Sequence, residues 1–378
     1  MIVSRTVWIF LSIYFINALI PNQCEQNLTS YGSNVCCPIP EGFTNACGFP
    51  FRGKCSFFPL ETHSILAPLP EIENDIRFEW PFKLFKYFCR CYKNFSGVDC
   101  GYCGFGFAGI NCLKKRVIVR KNVMNLNQTE LKYFRTVVNL SRFKRSSYMV
   151  LSETSGNKNL QKMLPATIYE VLVFIHQFAA RPILEDDILC ATRKTFSEYT
   201  DHNHNGPGFL TWHRHFMLEW ERLSGLIAKE YFDIDDFAFP YWDWTGKSHC
   251  DVCTDDIVGG FGPSIGNFKM LSPKSLFSNW TEICSRNKIK ITRFWMSNKF
   301  PTTFEVNRVL MLPDYYKTVY VRSHNPIKSY LVPTHEMFKP CKSFESSLEG
   351  SCKVENDFTM HNKVHNIVFG TFYSTRSS

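Results

Sequence analysis

Apolar residues recur with helical spacing in two long stretches of the chain. Over 166–181, Ile168, Leu172, Ile175, Phe178 and Ala179 fall on one helical face, and Arg181-Pro182 closes the stretch, since proline ends a helix. A second helix is predicted from about Phe209 to Tyr231, after Pro207-Gly208 and before Phe239-Pro240. A shorter helical pattern lies near Glu130 to Val138, followed by a polar stretch rich in Ser, Lys and Asn. Residues 246–340 mix Pro, Ser, Asn and aromatic residues without a period and predict mostly irregular structure. At the start, Arg5 precedes the apolar run Val7 to Ile20, broken by Ser12 and Asn17 and followed by Pro21. That is a basic n-region with an apolar run shorter than a bilayer-spanning helix needs, so residues 1–20 are expected to be a signal segment. The usual pair of small residues at a cleavage site is missing, and an uncleaved anchor is the alternative reading. No later stretch is apolar enough to span a bilayer.

The cysteines divide the chain. Of 16, ten lie between Cys24 and Cys112, and the segment they span is rich in turn residues. Its latter part reads Cys89-x-Cys91-x8-Cys100-x2-Cys103-x8-Cys112, with Gly97, Gly101, Gly104, Gly106 and Gly109 interspersed. Cysteines paired around Gly-rich turns describe an EGF-like module, stapled because it has little core of its own. Zinc held by Cys100-x2-Cys103 and Cys250-x2-Cys253 is the rival, but those pairs lie far apart and the compartment is oxidising. The expected division is therefore a signal segment 1–20, a Cys-rich EGF-like module 24–112, a connector 113–165 and a larger globular domain 166–378.

Length, charge and sequons add bounds. A chain of 378 residues with 44% apolar residues has material for a core and for two or three folded units. Its net charge of +9 is spread out, with no basic run longer than Lys114-Lys115-Arg116, so a nucleic-acid partner is not indicated. Sequons begin at Asn27, Asn94, Asn127, Asn139 and Asn279; behind a signal segment each is a candidate glycan site. The expected location is the secretory pathway, either secreted or in the lumen of a pigment-type organelle.

The 11 histidines carry the chemistry. His202, His204, His213 and His215 cluster in one short stretch, and His361 and His365 form an i, i+4 pair able to close on one ion from one helical face. His176 lies on the first predicted helix. Neutral imidazole suits copper, zinc, iron and nickel alike.

Longer motifs narrow the choice. His204-Asn-Gly-Pro-Gly-Phe-Leu-Thr-Trp-His213-Arg214 resembles the first copper motif of tyrosinases, H-x4-F-x2-W-H-R, and Pro240-Tyr241-Trp242-Asp243-Trp244 resembles the P-Y-W-D-W that follows it. Cys250-Asp-Val-Cys253-Thr-Asp and Leu271-Ser272-Pro273 are similar to stretches of the animal tyrosinase and tyrosinase-related proteins. Ser347-Leu348-Glu349-Gly350 and Met360-His361-Asn362-x2-His365 resemble the start of the second copper motif. The resemblance covers roughly 24–370 of the chain.

It implies a mainly α fold, a helical bundle holding a binuclear copper site, with the disulfide-rich EGF-like module in front. Carried over by position, it makes His176, His204 and His213 ligands of the first copper and His361 and His365 ligands of the second. Glu349 and Asn362 resemble the acid and amide that orient a water acting as base towards the phenol. The implied partners are a small phenol and O2, and the implied activity is ortho-hydroxylation of monophenols and oxidation of o-diphenols to o-quinones, serving melanin formation or quinone cross-linking. His202 stands where some members place a cysteine cross-linked to a ligand. His215 lies on another helical face, Asp243 reads as a structural hydrogen-bond partner, and Trp212 as core.

The sequence runs from His365 to Ser378 without the family's next ligand-bearing H-H-x-F-x-D type segment; His249, His324 and His335 lie upstream in predicted loops. The second site is thus expected to carry two of its three histidines here, within a C-terminally incomplete domain. Other readings are a zinc-holding tyrosinase-related tautomerase, and a truncated, inactive secreted glycoprotein. The resemblance further pairs Cys24 with Cys36, Cys37 with Cys55, Cys47 with Cys89, Cys91 with Cys100, Cys103 with Cys112, Cys250 with Cys253 and Cys284 with Cys341.

Overall fold

The computed structural model describes residues 19–28, 34–58, 85–151, 163–180, 209–266, 268–281, 290–294 and 300–311, together with Val364 and Val368. Strand β1 (Ile20–Pro21) pairs antiparallel with a strand far along the chain, Ile20 opposite Met149. Leu19 and Ile20 are 5% and 1% exposed, so the last two residues expected in the signal segment belong to the folded body.

The Cys-rich segment folds as short ribbons. β2 (Val35–Cys36), β3 (Gly53–Phe57) and β4 (Tyr87–Cys91) form one sheet in the order β2-β4-β3. Two small hairpins follow, β5 (Phe95–Ser96) with β6 (Tyr102–Cys103) and β7 (Phe107–Ala108) with β8 (Lys114–Lys115). Disulfides join Cys24–Cys36, Cys37–Cys55, Cys47–Cys89, Cys91–Cys100 and Cys103–Cys112. Such short strands bury almost nothing, so the bridges supply the closure that a core would otherwise provide. The module is not a separate body: Cys24, Cys36 and Phe85 share one apolar cluster with Val137, Met149, Phe174 and Ile227.

The expected connector also belongs to that body. Helix α1 (Gln128–Ser141) opens on a capping box, with Asn127 accepting from the Glu130 N–H and Glu130 accepting from the Asn127 N–H, a device worth about 1 kcal/mol. β9 (Arg145–Leu151) and β10 (Met163–Thr167) then form a sheet with β1 in the order β1-β9-β10. Tyr148 and Met149 on β9 are buried, so the connector contributes to the shared core.

Helix α2 (Ile168–Ala180) begins with a second reciprocal cap: the Thr167 N–H donates to Glu170 at 2.7 Å, and the Glu170 N–H to the Thr167 hydroxyl at 3.3 Å. Helix α3 (Phe209–Phe232) is the longest element among the described residues. It packs on α1 through Tyr133 against Phe232, with ring centroids 4.6 Å apart. Beyond α3 the chain expected to be irregular forms a sheet of β11 (Phe261–Ile265), β12 (Phe268–Leu271) and β13 (Thr292–Phe294), then helix α4 (Thr303–Leu310). Among the described residues, short strands are nearly as prominent as helices. The mainly α expectation therefore holds for the α1–α3 core and not for the body as a whole, because the disulfide-bound ribbons and three-stranded sheets pack directly on that core. No helix among the described residues is long and apolar enough to cross a membrane.

Candidate metal centre

Two of the predicted ligands meet where α2 crosses α3. The apolar face of α2 buries Val171, Leu172, Phe174, Ile175 and Phe178, which directs His176 towards α3. There its ring lies edge-on to Trp212, His213 and Phe216, with centroid separations of 5.6, 5.7 and 5.6 Å. Trp212 is 3% exposed and stacks on Phe216 at 5.2 Å, so it is a core residue, as its sequence context suggests. The two imidazoles therefore share an aromatic wall that keeps water away from one side.

His213 is also held by the backbone. Its Nδ1 lies 2.8 Å from the carbonyl oxygen of Phe209, one helical turn earlier. A carbonyl only accepts, so that contact assigns the proton to Nδ1 and leaves Nε2 as the lone-pair nitrogen. Fixing one ring nitrogen so that the other can ligate is the usual arrangement in histidine metal sites.

The remaining predicted residues, His204, His361, His365, Glu349 and Asn362, lie outside the described residues, as do Cys284 and Cys341. Val364 and Val368, which bracket His365, are helical. Three sulfurs, of Cys37, Cys47 and Cys89, lie within 4.8 Å of one another. They belong to the Cys37–Cys55 and Cys47–Cys89 disulfides, and oxidised sulfur is a poor ligand, so this cluster is two adjacent bridges and not a metal site.

A family model described as the common central domain of tyrosinase matches residues 166–378. The match spans more than half of the chain. This chain belongs to the tyrosinase family. Tyrosinase of Pelophylax lessonae is 29% identical over 377 residues, covering 92% of this chain and 66% of the relative. Tyrosinase of Bos taurus is 30% identical over 370 residues, covering 93% and 67%. The human 5,6-dihydroxyindole-2-carboxylic acid oxidase is 30% identical over 281 residues, covering 71% and 50%. The chain thus spans about two thirds of the length of the first two relatives and half of the third.

In this tyrosinase-family chain the P-Y-W-D-W segment is pinned to α3 from outside the site. Glu221 is 5% exposed and accepts from Arg120 Nε and Nη2 at 2.6 and 2.7 Å and from the Phe239 N–H at 3.1 Å. Tyr241 exchanges backbone hydrogen bonds with Lys121 and Val123. Asp243 accepts from the Thr245 N–H, which holds its carboxyl below the usual range, and its own carboxyl is solvated. It therefore braces a turn. Trp242 donates its indole N–H to Asp251 at 2.7 Å.

His215 meets Phe105 of the Cys-rich module edge-on at 5.4 Å, where burial lowers its pKa. Next to it, Arg222 pairs with Glu219 at 2.7 Å and lies over the Tyr102 ring at 4.8 Å. Burial would pull the Arg222 guanidinium down, but Glu219, Tyr148 and Tyr102 hold it above its ordinary value. These contacts dock the module on the back of the helix that carries His213. Sequence reasoning singles out neither Glu221 nor Arg222. Nothing local marks them, because their partners Arg120, Tyr102 and Tyr148 lie far along the chain.

Among the sequon residues, Asn127 and Asn279 are exposed. Asn139 accepts from the Trp280 indole at 3.3 Å, and Asn94 donates to the Cys112 carbonyl at 3.0 Å. The side chain of Asn27 is outside the described residues.

Proposed function

We propose that this chain is a tyrosinase-type copper oxidoreductase that hydroxylates monophenols at the ortho position and oxidises o-diphenols to o-quinones. The observation that carries the reading is the approach of His176 and His213 to 5.7 Å against one aromatic wall, with His213 Nδ1 tied to the Phe209 carbonyl. Two neutral imidazoles on packed helices are a donor set that copper accepts. His176, His204 and His213 would hold one ion, and His361 and His365 would contribute to a second. Copper, when bound, supplies the activation of O2.

The protein's own residues do the rest. The Phe209 carbonyl orients His213 and fixes its tautomer, and the Trp212–Phe216 stack excludes water from the His176 side. Glu349 and Asn362 are proposed to orient a water that takes the phenol proton. The disulfides fit an oxidising lumen of the secretory pathway.

The test is oxygen uptake and quinone formation from a catechol by copper-loaded protein. The proposal expects both to be lost in His213→Ala and in His361→Ala. Undiminished turnover in both variants overturns it. Zinc retained in preference to copper, without oxygen uptake, replaces it with the tautomerase reading.

A further inference from the structure

Among the described disulfides, Cys250–Cys253 lies outside the Cys-rich module and in a different electrostatic setting. Cys250 and Cys253 are joined across a sequence separation of only 3, against 42 for Cys47–Cys89. Loop-closure stabilisation falls with loop length, so this bridge receives the least among the described disulfides. Its two residues differ in exposure: Cys253 is buried at 7%, whereas Cys250 is half-buried.

The Cys253 sulfur faces a buried cation. Arg293, on β13, is 3% exposed and donates through Nη1 to Cys253 Sγ at 3.3 Å and to the Val368 carbonyl. Through Nη2 it donates to the carbonyls of Val258 and Gly259 at 2.6 and 3.0 Å. All of these acceptors are neutral, and among the described residues no carboxylate pairs with Arg293. The acids nearby in sequence are engaged elsewhere. Asp251 accepts from Trp242 and Lys247, Asp255 from Ser272 and the Gly260 N–H, and Asp256 from Arg135. Burial pulls the guanidinium down to about 10, which leaves it charged at neutral pH. A buried cation without an anion is costly, and Cys253 Sγ is the contacting atom on which an anion can form.

We propose that Cys250–Cys253 is a thiol-exchange site, in which Cys250 is the sulfur attacked by a low-molecular-weight thiol and Cys253 is the leaving thiolate, held by Arg293. The thiolate of the incoming thiol bonds to Cys250 Sγ while the Cys250–Cys253 bond breaks, and the bonding pair departs on Cys253 Sγ. A second molecule of the thiol then attacks the mixed disulfide and leaves as the oxidised dimer of the reagent, and Cys250 becomes a thiol. Two thiols are oxidised and one protein disulfide is reduced. A stabilised leaving thiolate both speeds the exchange and favours the reduced form.

The experiment uses the full folded chain in graded reduced and oxidised glutathione, quenched by alkylation and read by peptide mass spectrometry. The Cys250–Cys253 pair is expected to open at a reduced-to-oxidised ratio at least tenfold lower than any of the module disulfides. Arg293→Met should raise its requirement about tenfold, equivalent to about 30 mV, and Arg293→Lys should restore it to within about threefold of the original. Opening of this pair together with or after the module bridges overturns the proposal, as does an Arg293→Met titration that matches the unmodified chain. Should Arg293→Met not fold, trapping of the mixed disulfide in the unmodified chain decides: a glutathione adduct on Cys250 supports the assignment, and one on Cys253 overturns it.

Discussion

Changing Glu221 to Gln keeps the size of a side chain that is 4% exposed but removes its charge. The carboxylate accepts two hydrogen bonds from Arg120 and one from the Phe239 N–H. Its Arg120 hydrogen bond holds that guanidinium above its ordinary value. Charge-assisted bonds of this kind contribute about 1.5–3 kcal/mol each in mutational series. Arg120 is 34% exposed, so water screens part of the pairing, and we expect about 2 kcal/mol for Glu221→Gln. Arg120→Met leaves a buried carboxylate without a counter-charge and should cost about 3 kcal/mol. The double variant loses both groups together and should also cost about 3 kcal/mol, giving a coupling of about 2 kcal/mol by the double-mutant cycle. Urea unfolding of the disulfide-intact protein measures this, as a change in midpoint at constant slope. Additive single effects, with a coupling below about 0.5 kcal/mol, would refute the idea that this pair fastens the Phe239–Trp244 segment to α3.

Three further outcomes follow from the same structure. Phe216→Ala removes the stack on Trp212 and one wall of His176, and should cost about 3–5 kcal/mol in thermal or urea unfolding. Replacing both Cys47 and Cys89 by Ala opens a loop with a sequence separation of 42 and should cost up to about 4 kcal/mol on the chain-entropy estimate; a loss under about 1 kcal/mol in the same assay would count against it. Glu130 is held below its usual pKa by the Lys121 ammonium and the Asn127 N–H. Its stabilising share is therefore present above the unfolded Glu value of about 4.3 and is lost as pH falls through the lower folded value. Stability measured from about pH 5 downward should accordingly fall less steeply in Glu130→Gln.

What can be read from sequence follows from which forces are local. The helices carrying His176 and His213 are legible because a 3.6-residue apolar period and Pro or Gly at the ends act within the segment, and the observed Ile168–Ala180 and Phe209–Phe232 lie close to the predicted spans. The sheet of β11 to β13 is not legible. Its strands are short and carry Gly262, Pro263 and Ser264, so no alternation stands out, and β12 pairs with β13 across the whole intervening stretch 272–291. Glu221 and Arg293 escape sequence reasoning for another reason. Their burial depends on Arg120, Phe239, Val258 and Val368, partners distant along the chain, and nothing local marks a charged residue as buried. The approach of His176 to His213 sits between these cases: the residue types and spacing point to metal chemistry, while the shared aromatic wall emerges only from the packing of α2 on α3.

The central claim is that His176 and His213 bind the same ion, and copper stoichiometry tests it most directly. Copper-loaded protein is desalted and its metal content measured by mass spectrometry for the unmodified chain, His176→Ala, His213→Ala and the double variant. The account predicts that each single variant loses one equivalent and that the double variant loses no more than either. Full copper content in a single variant, or twice the loss in the double, would contradict it.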